Sequence, residues 1–510
     1  MSSLVQSVDW LAIAPPVVVA ATALIVLVAD LFVPDHRKPL LGWTAVAGLA
    51  AAGLLLLPLR HGNRSTFCLP GGHGACSYTA DHFTLAIQLL VLGGALLTAL
   101  LSMSETGGDR LPAGEFWFLL LASASGAALL PASRDLATLV VALEVASLPA
   151  FALVGLKRGN RLSSEAALKF FLSSVTATAV TLLGVSFVYA ATGTLHLTRI
   201  ATAQVDPQLD TLAEAGVVLT LVGFAFKTAT APFHFWVPDT YVGAPLPIAA
   251  YLSVIGKAVG FSGLILVTVV AFPGYADIWG PAIAVLAALT MTAGNTAALR
   301  QRATRAHSAV RLLAWSSIGQ AGYLLVPIAA AGYTSDREIG STVAYALMYA
   351  VVNLGAFATV ALVARSRPGK RLSDYRGLYA TRPLTALALA FFLLCLAGLP
   401  PGIIGLFAKV TVFQSAVDAG LGWLAAVMAV NVVFALYYYL RWTAVLFRTP
   451  LAATVGPATA PAPRSETGET RTGHRIPLPL ALTVALAAAA GAVLSVAPQL
   501  VLHFASGSLF

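Results

Sequence analysis

Fourteen apolar runs punctuate this chain, most of them close to the length at which a helix crosses a bilayer. A spanning helix needs about 20 mostly apolar residues. The runs lie at roughly 10–33, 39–58, 81–102, 114–131, 136–156, 166–190, 211–238, 244–271, 279–299, 308–330, 339–364, 384–416, 421–447 and 478–503. A soluble chain carries about 25% charged residues; here the share is 10%. Lipid offers no partner to a backbone N–H or C=O, so only helices and closed barrels cross it. Runs of this length suit helices. The expected fold is an all-α integral membrane protein with about fourteen transmembrane helices.

The first run is expected to be a retained helix. A secretory signal starts with a basic region and ends at a small-residue cleavage site, whereas here the first basic residues, Arg37 and Lys38, follow the apolar stretch. With the connections numbered from the N-terminus, the odd ones hold 20 Lys and Arg and the even ones 5. Another 5, Lys169, Lys227, Lys257, Lys409 and Arg441, lie inside or at the ends of runs. Cytoplasmic loops carry the Lys and Arg excess, so the odd connections are expected in the cytoplasm and both termini outside, in a bacterial plasma membrane. The net charge of +9 is thus a matter of topology. No basic patch interleaved with aromatics supports nucleic-acid binding.

Three cysteines, without CxxC or Cys/His spacing, suggest no site for zinc or an iron–sulfur cluster. No GxGxxG or P-loop pattern marks a nucleotide site, so no cofactor or metal is expected in this chain. Cys395 lies within a run and reads as an inert, small apolar residue. Cys68 and Cys76, in TFCLPGGHGACSY, sit in the second connection, where an outside location permits a disulfide. Free thiols, or a metal site with His73, are the alternatives.

Two runs are overlong and interrupted. The seventh contains ATAPFHFWVP, broken at Pro232, and the twelfth contains LAGLPPGIIG, broken at Pro400 and Pro401, each next to a lysine. Proline removes a donor and frees carbonyls, which a membrane tolerates only where protein or a wet cavity satisfies them. Paired broken helices point to an ion pathway in a protein built from repeats. Runs four to eight and nine to thirteen make two sets of five, and an odd count places the second set upside down relative to the first. The expected organisation is residues 1–112 for the first three helices, 113–272 and 273–448 for two inverted five-helix repeats, 449–477 for a Pro- and Thr-rich cytoplasmic linker, and 478–510 for the last helix. No residue-level identity links the two sets.

Ionisable residues within the runs are the informative ones. Glu144 lies in VVALEVASLPAF, Lys227 in FAFKTATAP, Lys257 in LSVIGKAVGF and Lys409 in LFAKVTVF. A central Lys or Asp costs roughly 2.5 to 3.5 kcal/mol on insertion scales, and such residues line ion pathways or pair with one another. These four are the candidate proton pathway. Lys169, a turn from the basic fifth connection, either snorkels to the interface or joins a relay. Arg441 reads as an interfacial anchor, and Tyr437, Tyr438 and Tyr439 as packing residues. His234, beside the break, either relays protons or satisfies a freed carbonyl. For a carboxylate and an ammonium about 6 Å apart at an effective dielectric near 20, the attraction is roughly 2.8 kcal/mol. Burial opposes the ammonium by a comparable amount, so moving Glu144 toward or away from Lys227 could load or unload its proton.

At this point the chain resembles a known family. FKTATAPFHFWVPDTYVGAPLPIAAYLSVIGKA is similar to the signature of the antiporter-like membrane subunits of respiratory complex I, and ALKFFLSSVTATAVTLLGVSFVYAATGTL, RLLAWSSIGQAGYLL, LAGLPPGIIGLFAKVTVF and NVVFALYYYLR match further blocks in order. The resemblance covers roughly residues 120–450 and is strongest to the N-type subunits. The family's fifth-helix glutamate falls on Glu144, its seventh- and eighth-helix lysines on Lys227 and Lys257, and its twelfth-helix residue on Lys409, where M-type subunits usually have glutamate. L-type subunits are longer and end in a lateral helix for which this chain has no room. The linker from Thr449 to Arg475 and the Cys68 to Cys76 loop depart from the family pattern. The resemblance implies proton conduction here, with flavin, iron–sulfur clusters and quinone in partner membrane and peripheral subunits. A subunit of a multi-subunit cation/proton antiporter, and a structural subunit whose charges only lock helices together, are the competing readings.

Overall fold

The computed structural model describes residues 7–69, 75–106, 111–334, 338–449, 476–506 and 509–510. His73 and residues 450–475 of the expected linker lie outside the described residues.

Helices dominate from end to end. Helix α1 (Trp10–Asp30) is capped by Asp9, whose Oδ1 accepts from the amides of Leu11 and Ala12 at 3.1 Å; α2 (Pro39–Leu54) follows. Strands β1 (Arg64–Cys68) and β2 (Cys76–Ala80) then form an antiparallel hairpin, an addition to the expected all-α fold. Cys68 and Cys76 face each other in its register and are disulfide-bonded. Next come α3 (His82–Ser102), α4 (Ala113–Leu129), α5 (Leu136–Gly155), α6 (Arg161–Thr192) and the short α7 (Leu197–Ala201). Side chains of Asp81, Asp135 and Asn160 cap α3, α5 and α6, meeting amides that a helix start leaves unpaired.

The seventh run does not form one helix over its expected length. Helix α8 (Asp210–Lys227) stops at the lysine, and the chain resumes as α9 (Val237–Gly243). The eighth run is a single rod assembled from α10 (Leu246–Tyr251), a π turn over Leu252–Gly256, α11 (Lys257–Ile265) and a second π turn over Leu266–Ala271. Helices α12 (Ala276–Leu299), α13 (Ser308–Ala331) and α14 (Ile339–Ala364) lead to the short α15 (Leu378–Thr381). The twelfth run is broken into α16 (Pro383–Ala397) and α17 (Ile404–Asp418). Helices α18 (Gly422–Phe447), α19 (Leu478–Val496) and α20 (Gln499–Ser506) complete the described chain. Among the described residues, 13 helices are long and apolar enough to cross a membrane; the broken α16–α17 pair falls on the twelfth expected run and contributes the shorter apolar helix Pro383–Ala397.

Contacts between connections sort the chain into two faces. On one, Arg64 pairs with Asp9 at 3.0 Å, the buried Arg134 pairs with Asp81, Leu197 N–H donates to Arg134 O at 2.9 Å, and Phe83 N–H donates to Leu509 O at 3.1 Å. The N-terminal segment, the even connections 2, 4 and 6 and the C-terminal residues therefore share a side. On the other face, Lys38 meets Asp30 at 3.5 Å, His307 N–H donates to Gly369 O at 2.9 Å, and Arg376 Nε donates to Thr449 O at 2.7 Å. The last two contacts tie the basic connections 9, 11 and 13 together, and Lys38 pairs back onto the end of α1.

Candidate functional site

The broken seventh span places Lys227 at the C-terminal end of α8, where the unpaired carbonyls of a helix end favour a cation. Its Nζ donates to Ser147 Oγ at 2.7 Å and Ser174 Oγ at 2.6 Å. Only 7% of the residue is exposed. Ser147 comes from α5 and Ser174 from α6, so the ammonium is gripped between the two helices. One turn from Ser147 on α5 is Glu144, and one turn from Ser174 on α6 is Thr178, which donates to Glu144 Oε1 at 2.6 Å. Spacings of three residues on α5 and four on α6 align these groups on one face of each helix. Glu144 and Lys227 are neighbours, but the carboxylate is met by Thr178 and the ammonium by Ser147 and Ser174, and no direct ion pair joins them. The break itself is closed by side chains: Trp236 Nε1 donates to Phe226 O at 3.3 Å, and Thr290 Oγ1 accepts from Ala231 N–H at 2.9 Å.

A cavity opens from Lys227 toward the eighth span, walled by Ser123, Ser147, Tyr251 and Gly256 among others. Tyr251 Oη and Ser123 Oγ lie 2.9 Å apart. Beyond Gly256 stands Lys257, 3% exposed, the first residue after the π turn. π turns inside helices are frequent at functional positions. Lys257 Nζ donates to Ser317 O on α13. Gly260 lets α11 approach the end of α8: a Cβ there would lie 2.8 Å from Thr228 N.

From α13 a polar cluster continues toward the second break. Ser316 Oγ is 2.5 Å from Tyr439 Oη, Gln320 Nε2 donates to the same oxygen at 3.3 Å, and Tyr345 Oη donates to Gln320 Oε1. Gln320, Tyr345 and Tyr349 wall a second cavity that holds Lys409. Lys409 Nζ donates to Leu396 O at 3.0 Å and Ala397 O at 2.7 Å. These carbonyls belong to the last turn of α16, so the lysine satisfies acceptors that the break sets free. Lys227, Lys257 and Lys409 thus form a buried polar axis within the helix bundle, with the partly exposed Glu144 beside its Lys227 end.

The other singled-out residues lie off this axis or at its margins. Lys169 is half-exposed and pairs with Glu165 at 2.8 Å and Asp239 at 3.1 Å. His234 packs edge-on against Trp315, ring centroids 5.6 Å apart, without reaching Lys227. Pro232, Pro400 and Pro401 occupy the two breaks on exposed turns. Tyr438 donates to Asn295 Oδ1 at 3.0 Å, while Tyr437 is exposed. The hydroxyl partners Ser147, Ser174 and Thr178, the residues Tyr251, Gln320 and Tyr345, and Asp239 escape a reading that weighs only charges. For Ser147, Ser174 and Thr178 the signal is present in the sequence as small polar residues one helical turn apart, or one turn from Glu144.

The profile of the family described as NADH:quinone oxidoreductase/Mrp antiporter matches residues 133–435, a stretch that contains Glu144 and the three buried lysines. A chain named NADH-quinone oxidoreductase subunit N 2, from Streptomyces griseus, is 76% identical over 510 residues, which is 100% of this chain and 95% of that one. The chain belongs to this family. Among solved structures, a chain of respiratory complex I from Thermus thermophilus is similar with a TM-score of 0.74 at 32% identity, over 97% of this chain and 100% of that chain. A chain of the Mrp complex from Dietzia sp. is similar with a TM-score of 0.78 at 22% identity, over 97% and 96%. That second likeness is one of fold.

Proposed function

We propose that this member of the family is a proton-translocating, N-type membrane subunit of an NADH:quinone oxidoreductase. It would lie in a bacterial inner membrane with its basic connections in the cytoplasm and both termini outside. Electron transfer from NADH to quinone then takes place in partner subunits, which carry the flavin, iron–sulfur clusters and quinone. This chain contributes the proton path.

The observation that carries the reading is the axis of buried lysines, Lys227, Lys257 and Lys409, with the partly exposed Glu144 beside the first and hydroxyls and cavities along it. A lysine whose ammonium donates to two serine hydroxyls can hand a proton on when the balance between burial and its carboxylate neighbour shifts. Glu144 supplies that shift. Residues 113–272 and 273–448 serve as two inverted units, each with its broken helix fourth in order and a lysine at the carbonyl end of the first half. The Mrp likeness leaves a cation/proton antiporter subunit as a second reading, disfavoured by the 76% identity to an N subunit.

The test is assembly and flux. The tagged chain should co-purify with flavin and iron–sulfur subunits, and Lys227→Ala should abolish NADH-driven acidification of reconstituted vesicles while leaving the redox centres in place. Co-purification with antiporter subunits alone, or normal acidification by the alanine variant, would overturn the reading.

A further inference from the structure

Between Lys227 and the basic face lies a layer of aromatic rings. Phe151 is one turn beyond Ser147 on α5, and Phe170 is one turn before Ser174 on α6, so both sit on the basic-face side of the lysine. Phe151 and Phe170 meet edge to face at 4.7 Å, and Phe170 stacks on Trp236 at 4.4 Å with ring planes 11° apart. Each of the three is 5% exposed or less. Lys227 Nζ lies 5.5 Å from the Phe151 ring centre, and Phe170 and Trp236 wall the cavity that holds Lys227.

Above this layer, at the rim, is an ionic clasp. Asp239 follows Trp236 by three residues, on the same side of the chain. Its Oδ2 accepts from Lys169 Nζ at 3.1 Å and its Oδ1 from Arg311 Nη2 at 3.3 Å. Lys169 is the residue before Phe170 on α6. Arg311 belongs to α13, one turn before the Trp315 that packs on His234. Asp239 therefore fastens the segment bearing Trp236 to α6 on one side and α13 on the other. Its side chain is 42% exposed and that of Lys169 49%, so this chain leaves the clasp open while it covers the rings beneath.

We propose that Phe151, Phe170 and Trp236 form the barrier that parts Lys227 from the basic face, and that Asp239 is a positioning residue that keeps this barrier shut. The inference rests on Lys227 carrying protons. Hydrophobic constrictions stop conduction by excluding water, and a proton cannot cross a dry stack of rings by hopping between hydrogen-bonded groups. Half-exposed ion pairs are weak, which suits a clasp that has to release during turnover.

The test uses the whole complex in sealed vesicles and reads passive proton permeability without NADH, protons moved per electron with NADH, and quinone reduction. Phe170→Ala should raise the permeability several-fold and lower the proton-to-electron ratio while quinone reduction continues. Leu172→Ala, on the exposed side of the same helix, should change neither. Asp239→Asn, nearly isosteric and at the rim, should move both readings in the same direction as Phe170→Ala but by less. An assembled Phe170→Ala complex with unaltered permeability and ratio overturns the barrier; a silent Asp239→Asn beside a leaky Phe170→Ala overturns the clasp. If Phe170→Ala does not assemble, Asp239→Asn decides alone, and its silence overturns the proposal. Lys227→Ala separates the underlying reading: normal pumping by that variant removes the proton path, whereas its loss of pumping beside a silent Phe170→Ala removes only the barrier.

Discussion

Glu144 and Lys227 are held as neighbours without touching. Thr178 donates to the carboxylate at 2.6 Å, and Ser174, one turn along the same helix, accepts from the ammonium at 2.6 Å. A direct buried ion pair would be deep and hard to leave, because separating it exposes two uncompensated charges. Hydroxyl partners change that balance. Each can donate or accept, so each charge is stabilised where it stands and loses less when the other moves. A switch needs two states of similar free energy, and this arrangement brings them closer than a salt bridge would.

Lys409→Glu should impair pumping, although some relatives carry glutamate at the matching position. Lys409 Nζ donates to Leu396 O and Ala397 O at the end of α16. A carboxylate would face two acceptors and the negative end of a helix, losing two charge-assisted bonds of about 1.5–3 kcal/mol each. The measurement is the proton-to-electron ratio of an assembled variant. Wild-type pumping would show that the site accepts either sign and that the carbonyl contacts are incidental.

Much of this was legible in the sequence. Apolar run length located the crossings because lipid forbids unpaired backbone, and a helix can satisfy that demand alone. Charges within the apolar runs pointed to Lys227, Lys257 and Lys409, which the fold buries, because an ammonium in lipid is costly. What escaped has a common cause. Ser147, Ser174 and Thr178 carry no charge and sit in apolar helices like dozens of other hydroxyls; only their spacing from Glu144 and across the helix interface singles them out. Asp239 looks like a loop acid in WVPDTY until the fold brings Lys169 and Arg311 to it. The end of α8 at Lys227, and not at the proline five residues later, also depends on tertiary contacts, since Trp236 and Thr290 supply the partners that make an early break tolerable.

Cys68 and Cys76 provide a test of orientation. They are joined in a hairpin on the face shared by the N-terminal segment and the C-terminal residues. With that face outside the cell, a membrane-impermeant thiol reagent should label the pair in intact cells only after mild reduction. Labelling that requires lysis as well as reduction would place the face inside and invert the topology.

On the basic face, Lys370 should titrate well below an ordinary lysine. Burial, reinforced by the nearby Lys157 ammonium and opposed by Glu105, pushes it down to about 8. An unfolded lysine holds its proton to about 10.4, so between these values the unfolded chain binds more protons and stability rises with pH. Below that window the folded state carries an ammonium its surroundings disfavour. Lys157→Gln removes the like charge, so Lys370 should titrate higher and the rise in stability should start at a higher pH. Thermal unfolding midpoints of wild type and variant, compared from neutral to alkaline pH, check this; identical profiles would mean that the two ammonium groups do not interact.

Lys227→Arg should assemble and reduce quinone yet lose most proton pumping. Arginine keeps the positive charge and has a reach similar to lysine's. Its guanidinium can still donate to Ser147 and Ser174, the two hydroxyls that hold the native ammonium. Packing, and any purely electrostatic part Lys227 plays opposite Glu144, should therefore largely survive. The guanidinium remains protonated at every physiological pH, whereas an amine can release its proton. The variant thus separates a fixed charge from a titrating one. Reconstituted complex should be assayed for NADH-driven acidification alongside quinone reduction, with Lys227→Ala and Glu144→Gln for comparison. If the arginine variant moves protons at the wild-type ratio to electrons while the alanine variant does not, Lys227 is a stationary charge that tunes the path electrostatically, and the proton must travel by way of the hydroxyls and cavities around it.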